Sequence, residues 1–313
     1  MIVKSLWHLD NETMIQSEEV LNPDSRFLQV ESAFSLISLG TEQLVLQRKI
    51  PQSIQSEMKV PYMKGSFDLP IKYGYALSGV LENGQKIHIM HPHQNLCFVN
   101  RESLFVECQE LPLYRIPLIS NMETVINAIW DSDINKYQDI LICGFGGIGA
   151  LLAFTLKFHY KFKNIFISEN NPYRKQKALD FGFYEAEQSL KYDISFNTTS
   201  SEKAMQFCIN HSKEEAKIVE LSWYGNKNIN INLGGNFHKN RLQIIASQVS
   251  KIPLKMRNEY DYEKRKVLAS TILKNDIFDQ LLTEPIPFEK VPDFFNDLRQ
   301  NKISEGIIQL IKY

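Results

Sequence analysis

The chain has 313 residues, a formal net charge of −1 and an apolar fraction of 43%. This length and apolar content suit two domains or one large one. Acidic and basic residues are interspersed along the chain, which excludes a large single-sign field for nucleic acid or an anionic membrane. No run approaches 18 apolar residues, and polar residues come too early for a signal peptide, so a cytoplasmic protein is expected.

The chain has four cysteines, at positions 97, 108, 143 and 208, and no two of them form a C-x-x-C pair. This spacing disfavours both a disulfide framework and a four-cysteine zinc lobe.

Residues 1–115 are predicted to be mostly β-structure. An Asn-Gly turn at 83–84 separates two apolar strands, a pattern typical of a hairpin. Short strands at this spacing favour a small barrel. The predicted strands are 27–38, 77–81, 86–90, 96–99 and Ser103–Val106.

From residue 119 the pattern becomes helical, and from residue 139 strands and helices alternate. This order predicts an α/β domain with a doubly wound parallel sheet. The tail adds two helices, at 260–273 and 291–298, and a strand at 306–311 that can return to the first domain. The predicted strands of the sheet are 139–143, 164–168, 193–197, 218–221 and 243–247.

The stretch Asp139–Gly149 joins a buried strand to a glycine turn that fits G-x-G-x-x-G. Gly144 permits the tight turn, Gly146 lets a pyrophosphate approach the backbone, and Gly149 lets the next helix pack closely. Gly147 and Ile148 complete the motif and open that helix. The order of strand, glycine turn and helix is the one that a dinucleotide fold needs.

Glu169 ends the next strand, 20 residues after Gly149. An acid at this offset can accept both hydroxyl hydrogens of an adenosine ribose and repels a 2′-phosphate, which favours NAD over NADP. Asn170 follows it, and the adjacent Asn171-Pro172 pair predicts a helix start. Arg174 can reach the adenine side or a 2′-phosphate, so NADP stays open. Without a ligand, the same residues would be a glycine turn and a solvated acid.

A β-rich domain, a glycine-motif domain and a returning tail together resemble the medium-chain dehydrogenase/reductase superfamily. The segment Ser35–Glu42 resembles S-x-I-S-x-G-T-E of the branch that includes bacteriochlorophyllide hydroxyethyl dehydrogenases. His91–Gln94, Asn121–Thr124, Glu220–Gly225 and Leu233–Gly235 resemble that branch too.

The resemblance implies a GroES-like catalytic domain at 1–117 and 251–313 and a Rossmann dinucleotide-binding domain at 118–250. It also implies a nicotinamide site in the cleft between them and an assembly that is usually a dimer or a tetramer, of which we expect a homodimer.

Zinc-dependent relatives carry ligands at positions where this chain has none. Leu39 stands where they have a cysteine, Tyr75-Ala76 replaces the histidine and glutamate of G-H-E, and Ser120 stands near the third ligand. These side chains cannot form a zinc site of nitrogen, sulfur and carboxylate donors. The chain is therefore expected to be a zinc-independent member, in which side chains must polarise the substrate carbonyl.

Hydride transfer belongs to the nicotinamide, so the protein must position the substrate and move one proton. His93 and His91 are candidate bases, Thr41 and Tyr75 candidate donors or relays, and Glu123 a group that could orient a histidine or accept a proton. Each has a structural alternative: a loop histidine, a cap, a volume filler or a first-turn helix acid. By family likeness or strand position, the cofactor site adds Asn197, Thr198, Trp223 and Tyr224.

The sequence thus predicts an NAD-dependent alcohol dehydrogenase or carbonyl reductase acting on a small molecule, with no nucleic-acid or membrane partner. One alternative is a non-catalytic NAD(P)(H)-binding sensor or scaffold that kept the cofactor site. A methyltransferase also uses a glycine loop and a strand-end acid, but the β-rich first domain and the spacing from Gly149 to Glu169 argue against it.

Overall fold

The computed structural model describes residues 1–20, 26–100, 106–300, 302 and 305–313. The chain divides into two compact units, one formed by Met1–Ser120 with Leu282–Tyr313 and the other by Asn121–Leu281. The predicted fold class, α/β with a β-rich domain and a parallel-sheet Rossmann domain, is confirmed. No helix of the described residues is long and apolar enough to cross a bilayer.

The strands and helices are numbered in chain order. The strands are β1 (Ile2–His8), β2 (Thr13–Glu19), β3 (Phe27–Leu36), β4 (Lys64–Gly65), β5 (Ile71–Lys72), β6 (Leu77–Leu81), β7 (Lys86–Ile89), β8 (Leu96–Asn100), β9 (Val106–Glu107), β10 (Asp139–Cys143), β11 (Asn164–Ser168), β12 (Tyr184–Glu185), β13 (Tyr192–Asn197), β14 (Ser212–Glu220), β15 (Gln243–Ala246), β16 (Ile286–Pro287) and β17 (Leu310–Lys312). The α-helices are α1 (Leu39–Leu46), α2 (Leu118–Ser132), α3 (Gly147–Phe154), α4 (Pro172–Asp180), α5 (Glu202–Asn210), α6 (Tyr262–Ile272) and α7 (Val291–Arg299).

The first unit contains two sheets. One has the order β2-β1-β5-β4, and the other runs β16-β17-β3-β6-β7-β9, with β8 also paired to β3. The predicted hairpin is confirmed, because β6 and β7 pair antiparallel around Gly84, whose φ is +83°. The returning strand is also confirmed, since β17 pairs antiparallel with β3. Of the predicted strand Ser103–Val106, residues 103–105 lie outside the described residues, and Val106 begins β9.

Helix α1 interrupts what was predicted to be a strand followed by a loop. The strand ends at Leu36, and the chain turns into a helix at Leu39. The Glu42 carboxylate reaches back, and its Oε1 accepts the Ser38 N–H at 2.7 Å, which satisfies a donor at the helix start. Thr41 and Glu42 therefore have fixed positions on the first turns of a helix.

The second unit is built on a six-stranded parallel sheet with the order β12-β11-β10-β13-β14-β15. The strand order reverses between β10 and β13, because the chain first builds outward to β12 and then crosses back. Doubly wound sheets bind their ligands outside the carboxyl ends of the strands at this switch point. The doubly wound sheet expected from the sequence is thereby confirmed.

Residues 251–281 belong to the second unit, whereas the sequence prediction placed them in the first. Buried polar contacts hold this segment there. The Asn127 amide donates to the main-chain carbonyls of Gln248 and Lys251, and Glu123 of α2 pairs with Arg265 and Lys266 of α6. Hydropathy periodicity cannot reveal such pairing between distant polar residues. The sequence prediction therefore ended the second domain at residue 250, earlier than the structure does.

Candidate functional site

The glycine turn after β10 has almost no room for side chains. Gly144 has a φ of +97°, and a Cβ there would lie 2.6 Å from Thr198 Oγ1. A Cβ on Gly149 would lie 2.1 Å from the carbonyl oxygen of Gly144, so the backbone at the start of α3 packs directly against the backbone of the turn. Glycine is therefore required at both positions.

Gly146 has a different environment. It precedes Gly147, the first residue of α3, and among the described residues the only atom within 4 Å of an added Cβ is Arg174 Nη1, at 3.6 Å. Backbone N–H groups at a helix start, next to a guanidinium, form a setting that suits a phosphate group. Ile148 lies in the first turn of the same helix.

Glu169 points toward this glycine turn. Its Oε2 accepts the Phe145 N–H at 2.6 Å, and its Oε1 accepts the N–H groups of Asn170 and Asn171, each at 2.8 Å. Asn171 caps α4 by accepting the Arg174 N–H at 3.0 Å, as the sequence predicted. The structure thus brings Glu169, Asn170 and Arg174 next to the glycine turn.

Thr198 ties the end of β13 to the end of β10. Its backbone N–H and its hydroxyl both donate to the Cys143 carbonyl, at 3.0 and 2.9 Å. These bonds fix the strand ends on both sides of the switch point, where the sheet rule places a ligand.

A second polar cluster lies at the carboxyl ends of β13 and β14. Glu220 Oε2 accepts hydrogen bonds from Asn197 Nδ2 at 2.7 Å and from Tyr224 Oη at 2.9 Å, and its Oε1 accepts the Ser222 N–H at 2.7 Å. Burial raises the pKa of Glu220 and that of Tyr224. Trp223, partly exposed, lies in the same turn.

The sequence analysis named Asn197, Tyr224 and Trp223 but missed Glu220. The available signal was its position, since it ends a buried strand just as Glu169 does.

In the first unit, three hydroxyl groups lie together. Tyr75 Oη donates to Ser38 Oγ at 2.5 Å and lies 3.3 Å from Thr41 Oγ1. All three side chains are partly exposed. Burial of the ring raises the pKa of Tyr75, so its hydroxyl keeps its proton at neutral pH and acts as a hydrogen-bond donor.

His93 lies behind these hydroxyl groups and is fully buried. Its Nε2 is 3.1 Å from Glu42 Oε2, and its Nδ1 is 2.8 Å from Ser35 Oγ, which in turn lies 2.9 Å from Tyr313 Oη. Every contact is satisfied when Nε2–H donates to Glu42 and Nδ1 accepts the Ser35 hydroxyl. The predicted base is therefore an interior group, and Glu42 links it to Ser38.

His91 is also buried, and burial lowers its pKa to about 3. Its ring stacks on Tyr62 with centroids 5.0 Å apart, and its Nδ1 lies 2.9 Å from the Pro92 carbonyl oxygen. A neutral, stacked imidazole with so low a pKa is poorly suited to take up a proton at neutral pH. The sequence analysis offered two roles for His91, a base or a loop histidine. The structure favours the loop histidine, bonded to the backbone.

Among the residues that the structure describes, Glu123 pairs with two cations rather than with a histidine. Its Oε1 lies 3.1 Å from Arg265 Nε and its Oε2 lies 2.5 Å from Lys266 Nζ, and all three side chains are buried. The contact partners are two cations of α6, so the observed role is to join α2 to α6 within the second unit.

The residues at the zinc-ligand positions of the relatives do not fit zinc. The Tyr75 hydroxyl is bonded to Ser38, and Ser120 Oγ lies 2.9 Å from His88 Nε2. Leu39 contributes only carbon atoms. In the part of the chain that the structure describes, no three His, Cys, Asp or Glu side chains form a group that could hold a metal ion.

Comparison with known proteins gives the fold. No protein-family model and no curated sequence matches the chain. Among solved structures, 2R,3R-butanediol dehydrogenase from Bacillus subtilis superimposes with a TM-score of 0.74 at 16% identity, covering 99% of both chains. Acetophenone reductase from Geotrichum candidum NBRC 4597, in complex with NAD, gives 0.72 at 12% identity, covering 100% of this chain and 97% of that one. TarJ of S. aureus, in complex with NADPH, gives 0.72 at 15% identity, covering 100% and 99%.

These similarities span both units. At such low identity they establish a common fold, and the fold expected from the resemblance is confirmed.

Proposed function

We propose that the chain is an NAD(P)-dependent oxidoreductase that transfers hydride between a nicotinamide cofactor and a small alcohol or carbonyl compound without zinc. The observation that carries this proposal is the glycine turn at the switch point of the parallel sheet, with Glu169 beside it. The neighbours with this fold include a butanediol dehydrogenase, an acetophenone reductase in complex with NAD, and TarJ in complex with NADPH.

On the cofactor side, the N–H groups at the start of α3 and the open face of Gly146 would hold the pyrophosphate, with Arg174 beside it. Glu169 would accept the ribose hydroxyls, which favours NAD, while Arg174 would be the group available to a 2′-phosphate of NADP. The bound nicotinamide would supply the hydride chemistry. Thr198, Asn197, Trp223 and Tyr224 would border the remainder of the cofactor along the sheet edge.

On the substrate side, the hydroxyl groups of Tyr75, Thr41 and Ser38 are the donors we assign to the substrate oxygen. Tyr75 is the strongest of these candidates because its proton is retained at neutral pH and its oxygen lies within hydrogen-bond distance of Ser38 Oγ. To donate to a substrate oxygen, Tyr75 would turn its proton away from Ser38 and accept the Ser38 hydroxyl instead. His93 and Glu42 would act as positioning residues, since Glu42 binds the Ser38 N–H and His93 binds Glu42. This arrangement would replace the polarisation that a metal gives in zinc-dependent enzymes.

The direct test is a titration of purified protein with NADH, followed by turnover measurements on a panel of aldehydes and ketones. We expect NADH binding and turnover of at least one compound, with zinc well below one per chain by elemental analysis. Tyr75→Phe should lower kcat by about 10²-fold or more while leaving NADH affinity nearly unchanged. Loss of NADH affinity in Tyr75→Phe would contradict the assignment to the substrate side.

The burial of both predicted histidines favours one alternative, a non-catalytic NAD(P)(H)-binding sensor or scaffold. Such a protein needs the cofactor site but no exposed base. Binding of NADH without turnover across the panel, with full occupancy shown by calorimetry, would support the sensor over the enzyme.

We also propose a homodimer joined through β15. This strand is the edge of the six-stranded sheet and pairs only with β14 among the described strands, and Ile244 on it is 38% exposed. An open strand edge with an exposed apolar side chain is a template for pairing with a second copy. Light scattering should give twice the chain mass, and Ile244→Lys should shift it toward the monomer.

A cytoplasmic location is proposed with the dimer. All four cysteines are buried free thiols, as expected in a reducing compartment. Cell fractionation with antibody detection tests it.

A further inference from the structure

Glu220 is the last residue of β14, at the carboxyl edge of the parallel sheet. Because Glu169 follows β11 and the glycine turn follows β10, a dinucleotide held there begins on one side of the switch point. Its other end must then run over the ends of β13 and β14, where Glu220 lies.

The partners of Glu220 are all neutral. The donors are the Asn197 amide, the Tyr224 hydroxyl and the Ser222 N–H, and the described part of the chain gives this carboxylate no Lys, Arg or His nitrogen within ion-pair distance. Burial raises the pKa of Glu220, which means that the negative charge is held at a cost.

Three other acids of the second unit that are buried or partly buried have cationic partners, whereas Glu169, at the same edge of the sheet, and Asp131 are bound by neutral donors. Glu123 pairs with two cations of α6, and Asp139 and Asp193 share Lys213. Glu220 is held in place by three hydrogen bonds, yet its charge is not balanced. A partly buried carboxylate of this kind, at an edge where ligands bind, suits a ligand that brings a positive charge.

We propose that the Glu220 carboxylate is the electrostatic partner of the cationic nicotinamide ring, so that the chain stabilises the oxidised cofactor relative to the reduced one. The inference rests on the proposed function. The oxidised ring carries a formal positive charge that the reduced ring lacks, so a fixed negative charge nearby discriminates between the two forms. Asn197 and Tyr224 keep the carboxylate at the sheet edge.

The experiment compares Kd values for NAD⁺ and NADH, by calorimetry, in the wild-type protein and in Glu220→Gln. Glutamine keeps the size and part of the hydrogen bonding but removes the charge. We expect the ratio of Kd(NAD⁺) to Kd(NADH) to rise by about tenfold in the variant, the order expected for one charge acting across a partly buried site. If the wild type prefers NADP(H), the same comparison is made with that pair.

Two controls separate charge from structural damage. Glu214→Gln removes an exposed acid of the same strand β14, six residues away, and should leave the ratio unchanged. ADP-ribose lacks the nicotinamide, so its Kd should be equal in wild type and Glu220→Gln. Should Glu220→Gln fail to fold, Glu220→Asp keeps the charge but moves it back by the length of one methylene group. The ratio of Kd(NAD⁺) to Kd(NADH) is then expected to rise by about threefold.

The failure of the inference can be distinguished from the failure of the proposed function. A wild-type protein that binds none of the four nicotinamide cofactors and no ADP-ribose overturns the function. A protein that binds them, with the same oxidised-to-reduced ratio in wild type and Glu220→Gln, overturns the role of Glu220 alone. An equal loss of affinity for NAD⁺, NADH and ADP-ribose in Glu220→Gln would also overturn it, because a structural role does not discriminate between redox states.

Discussion

The candidate groups of the two units are assembled in different ways. In the second unit, the glycine turn and Glu169 lie within one strand–helix–strand segment, and many of the contacts involve main-chain N–H and C=O groups. In the first unit, the hydroxyl groups and the pair His93–Glu42 come from segments far apart in sequence and meet through side-chain contacts in the interior. The first kind of site depends on local geometry, and the second on how the whole unit packs.

Because the first unit depends on buried side chains, we expect acid to lower the stability of this unit most. Burial lowers the pKa of His8 and of His91, each to about 3, and both belong to the first unit. Their folded-state pKa values lie below the unfolded value near 6.5, so the stability they contribute is present above pH 6.5 and is lost as the pH falls toward 3. Between pH 7 and pH 5 each should cost about 2 kcal/mol, or about 4 kcal/mol together.

Urea unfolding at the two pH values measures this loss. In His91→Phe, which keeps a ring against Tyr62, the loss should be smaller by about 2 kcal/mol. His238→Gln changes an exposed histidine of the second unit and is the control. A pH dependence that is the same in wild type and His91→Phe would contradict a neutral buried His91.

The local character of the glycine turn is tested by Gly144→Ala. A Cβ there meets Thr198 Oγ1 at 2.6 Å in a backbone with a φ of +97°, so we expect a loss of about 2–4 kcal/mol in the free energy of unfolding and at least 10²-fold weaker NADH binding. Gly84→Ala is the matched control, because Gly84 has a φ of +83° and no described atom within 4 Å of an added Cβ. It should cost about 1 kcal/mol and leave NADH binding unchanged. Equal effects of the two substitutions would contradict the close approach at Gly144.

The packed character of the first site is tested by Glu42→Ala. This change leaves the Ser38 N–H and His93 Nε2 without their carboxylate in the interior, and we expect a loss of about 2–3 kcal/mol in the free energy of unfolding. Denaturant unfolding of Glu42→Ala and of the exposed control Glu57→Ala measures it. A cost for Glu42→Ala below about 0.5 kcal/mol, the range of a surface substitution, would show that the network carries little energy.

The same contrast explains how much could be predicted from sequence. The turn at Gly144–Gly149, Glu169 and the Asn171 cap were found because strand, glycine and acid follow each other at fixed spacing, and backbone geometry demands those residue types. The hairpin at Gly84 was found for the same reason.

Helix α1, the burial of His91 and His93, and the pairing of Glu123 with α6 were not found. They depend on which distant side chains meet, and a hydropathy pattern gives a polar residue the same weight whether it faces a ligand or a buried partner. Glu220 was missed because its partners come from two different segments, Asn197 from the end of β13 and Tyr224 from the turn after β14.

Calorimetric titration of wild type and Glu169→Ala with NADH and NADPH shows whether the glycine turn and Glu169 bind a nicotinamide dinucleotide. We expect one NADH per chain, tighter binding of NADH than of NADPH, and a loss of about 1–3 kcal/mol of NADH binding free energy in Glu169→Ala, the range for a hydrogen bond to a charged group. A wild-type protein that prefers NADPH, or an NADH affinity that Glu169→Ala leaves unchanged, would contradict it.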